Sequence, residues 1–217
     1  MKIDTNTVNV LKNFAKINPS IMIQEGNTLK TISTSKTILA RAKVSTEFGK
    51  RFAIYNLDRF LSTISLFNNP DLNFKDQFVE IVEDSKKTKY FYADESVITK
   101  VPEKEITLPS VDVSFTLTNT ALKEVEKAGG VLALPEILIV GDGSKIYIQA
   151  GDTKNPSADV FSVEIGETNK AFRAIFKAEN IKIIPGDYEV SISVKGLSYF
   201  RNGDIEYWIA IEKHSEF

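Results

Sequence analysis

Apolar and polar residues alternate along most of the chain in short runs. Examples are Ile21-Met22-Ile23, Phe52-Ala53-Ile54-Tyr55, Phe78-Val79-Glu80-Ile81-Val82, Lys145-Ile146-Tyr147-Ile148-Gln149 and Tyr188-Glu189-Val190-Ser191-Ile192-Ser193-Val194. A period of two predicts strands with one face buried. Reversal signals stand around them: Glu25-Gly26-Asn27, Asn69-Pro70-Asp71, Gly141-Asp142-Gly143, Pro185-Gly186-Asp187 and Asn202-Gly203-Asp204. Several lie where hairpin loops would, so the sheets are expected to be mainly antiparallel.

Four stretches carry helical spacing instead. Over Thr7 to Ile17, Val8, Leu11, Phe14 and Ala15 fall on one face, Asn9, Asn13 and Lys16 on the other, and Lys12 at the margin. Leu57 to Phe67 aligns Leu57, Phe60, Leu61 and Ile64 and turns Asp58, Arg59, Ser62 and Ser65 outward. Thr120 to Ala128 sets Lys123 and Lys127 opposite a stripe of Ala121, Leu122, Val125 and Ala128, with Glu124 and Glu126 on the flanks. The fourth, Ala178 to Ile184, is short and stops at Pro185-Gly186.

The order of these elements repeats. Thr5-Asn6-Thr7 opens the first helix and Thr118-Asn119-Thr120 the third, each offering hydroxyl or amide caps. The second and fourth helices each follow a strand containing Ala-Ile, within Phe52–Tyr55 and Phe172–Phe176. The chain therefore reads as a tandem duplication: a first domain over 1–93, an exposed connector over 94–109 with Pro102 and Pro109, and a second domain over 110–217.

Composition narrows the chemistry. The 217 residues include no cysteine and one histidine, His214, which removes disulfides, thiolate metal sites and most acid/base catalysis. No apolar run reaches membrane-span length and no signal core opens the chain, so a soluble, intracellular protein with no membrane partner is expected. Gly141-Asp142-Gly143-Ser144-Lys145 superficially resembles a phosphate loop but lies between strands and lacks the full spacing, so it reads as a hairpin turn. The acidic pairs Glu83-Asp84 and Asp94-Glu95 read as solvated loop charges. No metal, cofactor or enzymatic activity is expected. The net charge of −2 argues against a conventional basic nucleic-acid binder unless charge is segregated. It is segregated: Lys12, Lys16, Arg59, Lys123, Lys127 and Lys182 on the four helices outweigh Asp58, Glu124, Glu126 and Glu179 by +2, leaving −4 for the rest.

Local motifs then resemble a known family, the ring-shaped DNA sliding clamps, and most closely those of T-even-type bacteriophages. The matching residues are Leu11-Lys12-Asn13-Phe14-Ala15 with Ile17-Asn18 and Met22, and Phe60-Leu61 with Ile64-Ser65-Leu66. Pro185-Gly186-Asp187-Tyr188 with Val194-Lys195-Gly196 match as well, as does the tail Tyr207-Trp208-Ile209-Ala210-Ile211-Glu212 followed by His214 and Phe217. The likeness runs end to end, with a divergent middle from about Asp71 to Ser114.

The resemblance implies an α+β DNA-clamp fold, two similar domains with antiparallel sheets outside and helices inside, closed as a homotrimeric ring. Such a ring encircles duplex DNA without reading sequence, tethers the phage replicative polymerase and confers processivity, in the cytoplasm of the infected host. With four helices per chain, twelve would line the hole, a circumference on the order of 120 Å at about 10 Å between axes. The DNA-facing residues implied are Lys12, Lys16, Arg59, Lys123, Lys127 and Lys182. The C-terminal tail of the polymerase, and the ATP-driven clamp loader, would use a pocket of Val97, Ile98, Val101, Trp208 and Ile211; Trp208 also fits as an ordinary core aromatic. The subunit joint would pair Tyr90, Phe91 and Tyr92 with Val160, Phe161 and Val163, since unpaired edges need covering. T-even clamps also recruit late-transcription factors, which extends the implied partners to transcription regulation. Duplicated antiparallel domains with edge pairing also serve in virions, so a structural or assembly protein stands as the alternative.

Overall fold

The computed structural model describes residues 1–217. It divides into two compact units, Met1–Lys104 and Glu105–Phe217, and the division falls inside the connector. Each unit runs helix, four strands, short helix or helical turn, three strands, the second unit having one further strand ahead of its helix.

In the first unit, α1 (Thr5–Ile17) is followed by β1 (Ile21–Ile23), β2 (Gly26–Ile32), β3 (Ile38–Phe48) and β4 (Phe52–Ile54). Then come α2 (Leu57–Ile64), β5 (Asp71–Phe74), β6 (Phe78–Glu83) and β7 (Lys86–Phe91). β1 pairs with β4, β2 with β3, and β5, β6 and β7 form a meander, all antiparallel. Phe52 anchors an aromatic cluster, its ring 5.0 Å from Phe74 and 5.1 Å from Tyr92. α1 starts two residues earlier than its periodicity suggests. Val10 joins Leu11, Phe14 and Ala15 in the core, Val8 stays at the margin, and Asn13 is buried, not outward. α2 ends at Ile64, short of Phe67, where the Glu83 carboxylate accepts the Asn68 and Asn69 backbone N–H groups and draws the chain off the helix.

The cap of α1 is Asp4, one residue ahead of the Thr-Asn-Thr signal. Its carboxylate accepts the Thr7 N–H (2.9 Å) and the Thr7 and Thr46 hydroxyls (2.6 Å each), and its own N–H donates to Thr46 Oγ1. The Thr46 and Thr7 hydrogen bonds pull the Asp4 pKa down to about 2. Because the folded value lies below the unfolded one, the stabilisation is complete above about pH 4 and is lost as pH falls towards 2. Asp4→Ala is expected to cost about 1 kcal/mol at neutral pH, and the gap to the parent should close between about pH 4 and 2 in urea titrations. An equal gap at both pH values would refute the assignment.

In the second unit, β8 (Val113–Leu117) leads into α3 (Asn119–Leu132), β9 (Glu136–Asp142), β10 (Lys145–Gly151), β11 (Phe161–Glu167) and β12 (Ala171–Lys177). After a 3-10 turn come β13 (Tyr188–Ser193), β14 (Leu197–Asn202) and β15 (Ile205–Ala210). One sheet is ordered β11-β10-β9-β12 and another β8-β13-β14-β15. α3 packs on the first sheet through Ala121, Leu122 and Val125. The first unit echoes β8: Met1 exchanges both backbone hydrogen bonds with Leu72 of β5, as β8 does along β13. Gly141 to Lys145 is a hairpin turn held by Asp142 Oδ1, which accepts the Ser144 and Lys145 N–H groups. No helix is long and apolar enough to cross a membrane.

The fourth helix is not formed. Only Ala178–Asn180 makes a 3-10 turn. The Tyr188 hydroxyl donates to the Ile184 carbonyl at 2.6 Å, and the Ile184 N–H donates to the Tyr207 hydroxyl at 3.1 Å. Those two groups are thus committed to the sheet, Pro185 disfavours helical backbone at Ile184, and one turn does not nucleate alone. α3 errs the other way, continuing four residues beyond Ala128, through Gly129-Gly130 to Leu132, before Ala133 turns left-handed at φ 53°.

Candidate nucleic-acid interface and assembly edges

On α1 the exposed residues Thr5, Asn9, Lys12 and Lys16 recur at helical spacing and form one face with no acid on it. Lys12, placed at the margin by its sequence position, is exposed and stands at the edge of that face. Arg59 on α2 and Lys123 and Lys127 on α3 are likewise exposed. None of these five cations enters a salt bridge, so their charge is available to an external anion. Lys182 differs: it lies on irregular chain beyond the 3-10 turn and is half-buried. With Lys182 and Glu179 both off the α-helices, the three helices still balance to +2. Glu126 is exposed on the flank of α3; desolvation raises its pKa, with Lys123 acting in the opposite sense.

β7 and β11 are the two strands without a single buried residue. Within their units β7 pairs with β6 and β11 with β10, so each presents a free backbone edge. β7 carries Lys86, Lys87 and Lys89 and no acid; β11 carries Glu164 and Glu167 and no base. Lys145 partly offsets the latter, 3.0 Å from each glutamate. The aromatic run of the first edge divides by strand alternation. Phe91 is 64% exposed, whereas Tyr90 packs edge-on against Phe60 and donates to the Asn56 carbonyl, and Tyr92 packs on Phe52. On the second edge Val160 and Phe161 are exposed and Val163 half-buried.

The residues expected to hold a partner peptide fall in both units. In the first, Val97 is exposed in a 3-10 turn (Glu95–Val97), Ile98 is buried and Val101 half-buried. In the second, Trp208 is buried on β15 with its ring 5.1 Å from Tyr199, and Ile211 is buried just beyond that strand. Sequence reasoning missed the charge contrast between β7 and β11; the signal was present as three lysines in four residues against two glutamates in four.

The helix-and-strand order repeated in two units is the DNA-clamp fold. Solved structures of that class agree: PCNA from Thermococcus kodakaraensis has a TM-score of 0.70 at 17% identity over 98% of this chain and 99% of its own. PCNA from A. fulgidus, solved with the C-terminal region of FEN-1 bound, gives 0.70 at 13% identity over 96% of each chain. The family model described as DNA polymerase processivity factor matches residues 3–101, and the one described as gp45 sliding clamp, C terminal, matches 114–213. The sliding clamp of Vibrio phage KVP40 is 33% identical over 98% of this chain and 99% of the relative, and that of Enterobacteria phage T4 is 26% identical over 99% and 98%. The chain belongs to the phage sliding clamps, the processivity factors of DNA polymerase. That membership decides against the virion-protein alternative.

Proposed function

We propose that three copies close head to tail into a ring around duplex DNA, the β7 edge of one chain pairing with the β11 edge of the next. The absence of any buried residue on these two strands, joined to their opposite charge, is the observation that carries this reading. Such a trimer lines its hole with nine α-helices and three 3-10 turns, a correction to the expected twelve helices. The exposed cations attract phosphates through a diffuse, salt-screened field and leave the ring free to slide, while the remaining −4 of each chain disfavours DNA outside the ring.

Held topologically, the clamp keeps the polymerase at the template without chemistry of its own, in the cytoplasm of the infected host. An ATP-driven loader opens and closes the ring, and late-transcription factors are further partners; both follow from the resemblance to T-even clamps. Partner tails anchor on the apolar positions singled out by that resemblance, of which Val97 is exposed while Ile98, Trp208 and Ile211 are buried.

The experiment combines mass in solution with retention on DNA. A species of three times 24.3 kDa that stays on a nicked circle and runs off when the circle is linearised is expected. A monomer at all concentrations, or equal retention on circle and linear DNA, would overturn the reading.

A further inference from the structure

A groove of about 380 Å³ runs between α3 and the bare β11 edge, lined by Thr120, Ala121 and Glu124 of the helix and Val163, Glu164 and Ile165 of the strand. Two acids and no base line it. Glu164 is held by Lys145 at 3.0 Å. Glu124 is exposed and makes no salt bridge. At about 100° per residue it stands on the flank of α3 that faces β11, about 60° round from Lys127 and about 100° from Lys123, with Glu126 on the far flank.

The other bare edge carries the complementary charge. Tyr90 of β7 packs edge-on against Phe60 at 5.1 Å and donates to the Asn56 carbonyl at 3.0 Å, which fixes the start of α2 over that edge. Arg59 lies on the Phe60 side of the core stripe of α2, and Asp58 on the opposite side. Its charge is near enough to oppose the rise that burial gives the Tyr90 hydroxyl pKa. Arg59 is exposed and makes no salt bridge. Pairing β7 of one copy with β11 of the next continues one sheet, and helices packed on its inner face then stand side by side at about 10 Å.

We propose that Arg59 of one copy reaches across this joint into the groove of the next and pairs with Glu124 there, serving assembly and not DNA. The inference rests on the ring reading above and names a contact of that joint. It takes one charge of each sign from the helices, so their +2 is unaltered. The planar guanidinium suits a carboxylate at the mouth of a groove, where two donors can engage it together.

The test uses the full chain and its Arg59→Glu, Glu124→Arg and doubly reversed variants, sedimented across a dilution series. Each single reversal sets like charges against each other and should raise the concentration of half-dissociation by about threefold or more, less so at high salt. The double reversal should return to within about twofold of the parent. Both positions are exposed, so all three variants should keep the parent's thermal unfolding. Arg59→Ala, measured where it is fully assembled, should leave the salt dependence of retention on nicked circles unchanged. A phosphate contact would instead lower that slope by about 0.9 for each phosphate released. With the parent trimeric, the proposal alone fails if the single reversals dissociate like the parent, if the double reversal is no better than the worse single one, or if Arg59→Ala flattens the salt slope. A parent that is monomeric at every concentration overturns the ring reading and this contact with it.

Discussion

With Phe91 replaced by aspartate, the chain is expected to sediment as a monomer at concentrations where the parent is a trimer, and to lose long-product synthesis with it. Phe91 is exposed on the bare β7 edge, packed on one side by Phe78 at 5.5 Å. Burying such a ring in a joint contributes about 1.5–3 kcal/mol, and the aspartate also brings a negative charge to the strand facing Glu164 and Glu167. Each joint is thus weakened by roughly 10- to 100-fold or more, and a closed ring needs all three. Fold stability should shift little, because exposed substitutions usually stay within about 0.5 kcal/mol. Reversing Lys86, Lys87 and Lys89 to glutamate should act in the same direction and most strongly at low salt, where exposed charges are least screened. A Phe91→Asp protein that remains trimeric with unchanged dissociation on dilution would place the joint elsewhere.

Local pattern was enough wherever an element's partners lie close in sequence. The α1 and α3 stripes, the Asx-type turn at Asp142 and the hairpin at Asn202-Gly203, with Gly203 at φ 54°, are all local signals. What the pattern lacked was distant chemistry. Nothing near Ala178 announces that Tyr188 and Tyr207 will take both backbone groups of Ile184, so a helix was expected where a single turn forms. Nothing near Asn68 announces Glu83. The third helix was expected to end at Ala128, yet α3 runs on through Gly129-Gly130 to Leu132, with Gly129 buried beside Ala150. The candidate sites divide in the same way. Exposed helix lysines follow from periodicity, whereas the choice of Phe91 over Tyr90 and Tyr92 depends on which face of β7 meets Phe60 and Phe52, a tertiary matter.

Replacing Lys12, Lys16, Lys123 and Lys127 together by alanine is expected to weaken retention on DNA by about tenfold or more at physiological salt while leaving the trimer and its thermal stability intact. The helices carry +2 per chain, so removing four charges takes them to −2 and reverses the sign of the field at the hole. On α3 alone Glu124 and Glu126 then stand unopposed. All four lysines are exposed and alanine is the better helix former, so folding loses nothing. Single substitutions should change retention by about twofold or less, because a diffuse field depends on the sum of twelve lysines in the ring and not on any one contact. The quadruple variant should lose about tenfold or more near 0.15 M salt, with a shallower salt dependence, since the slope falls by about 0.9 for each phosphate no longer neutralised. Retention on nicked circles measured across salt concentrations gives both numbers. A quadruple variant that matched the parent in affinity and slope would show that these helices do not face DNA.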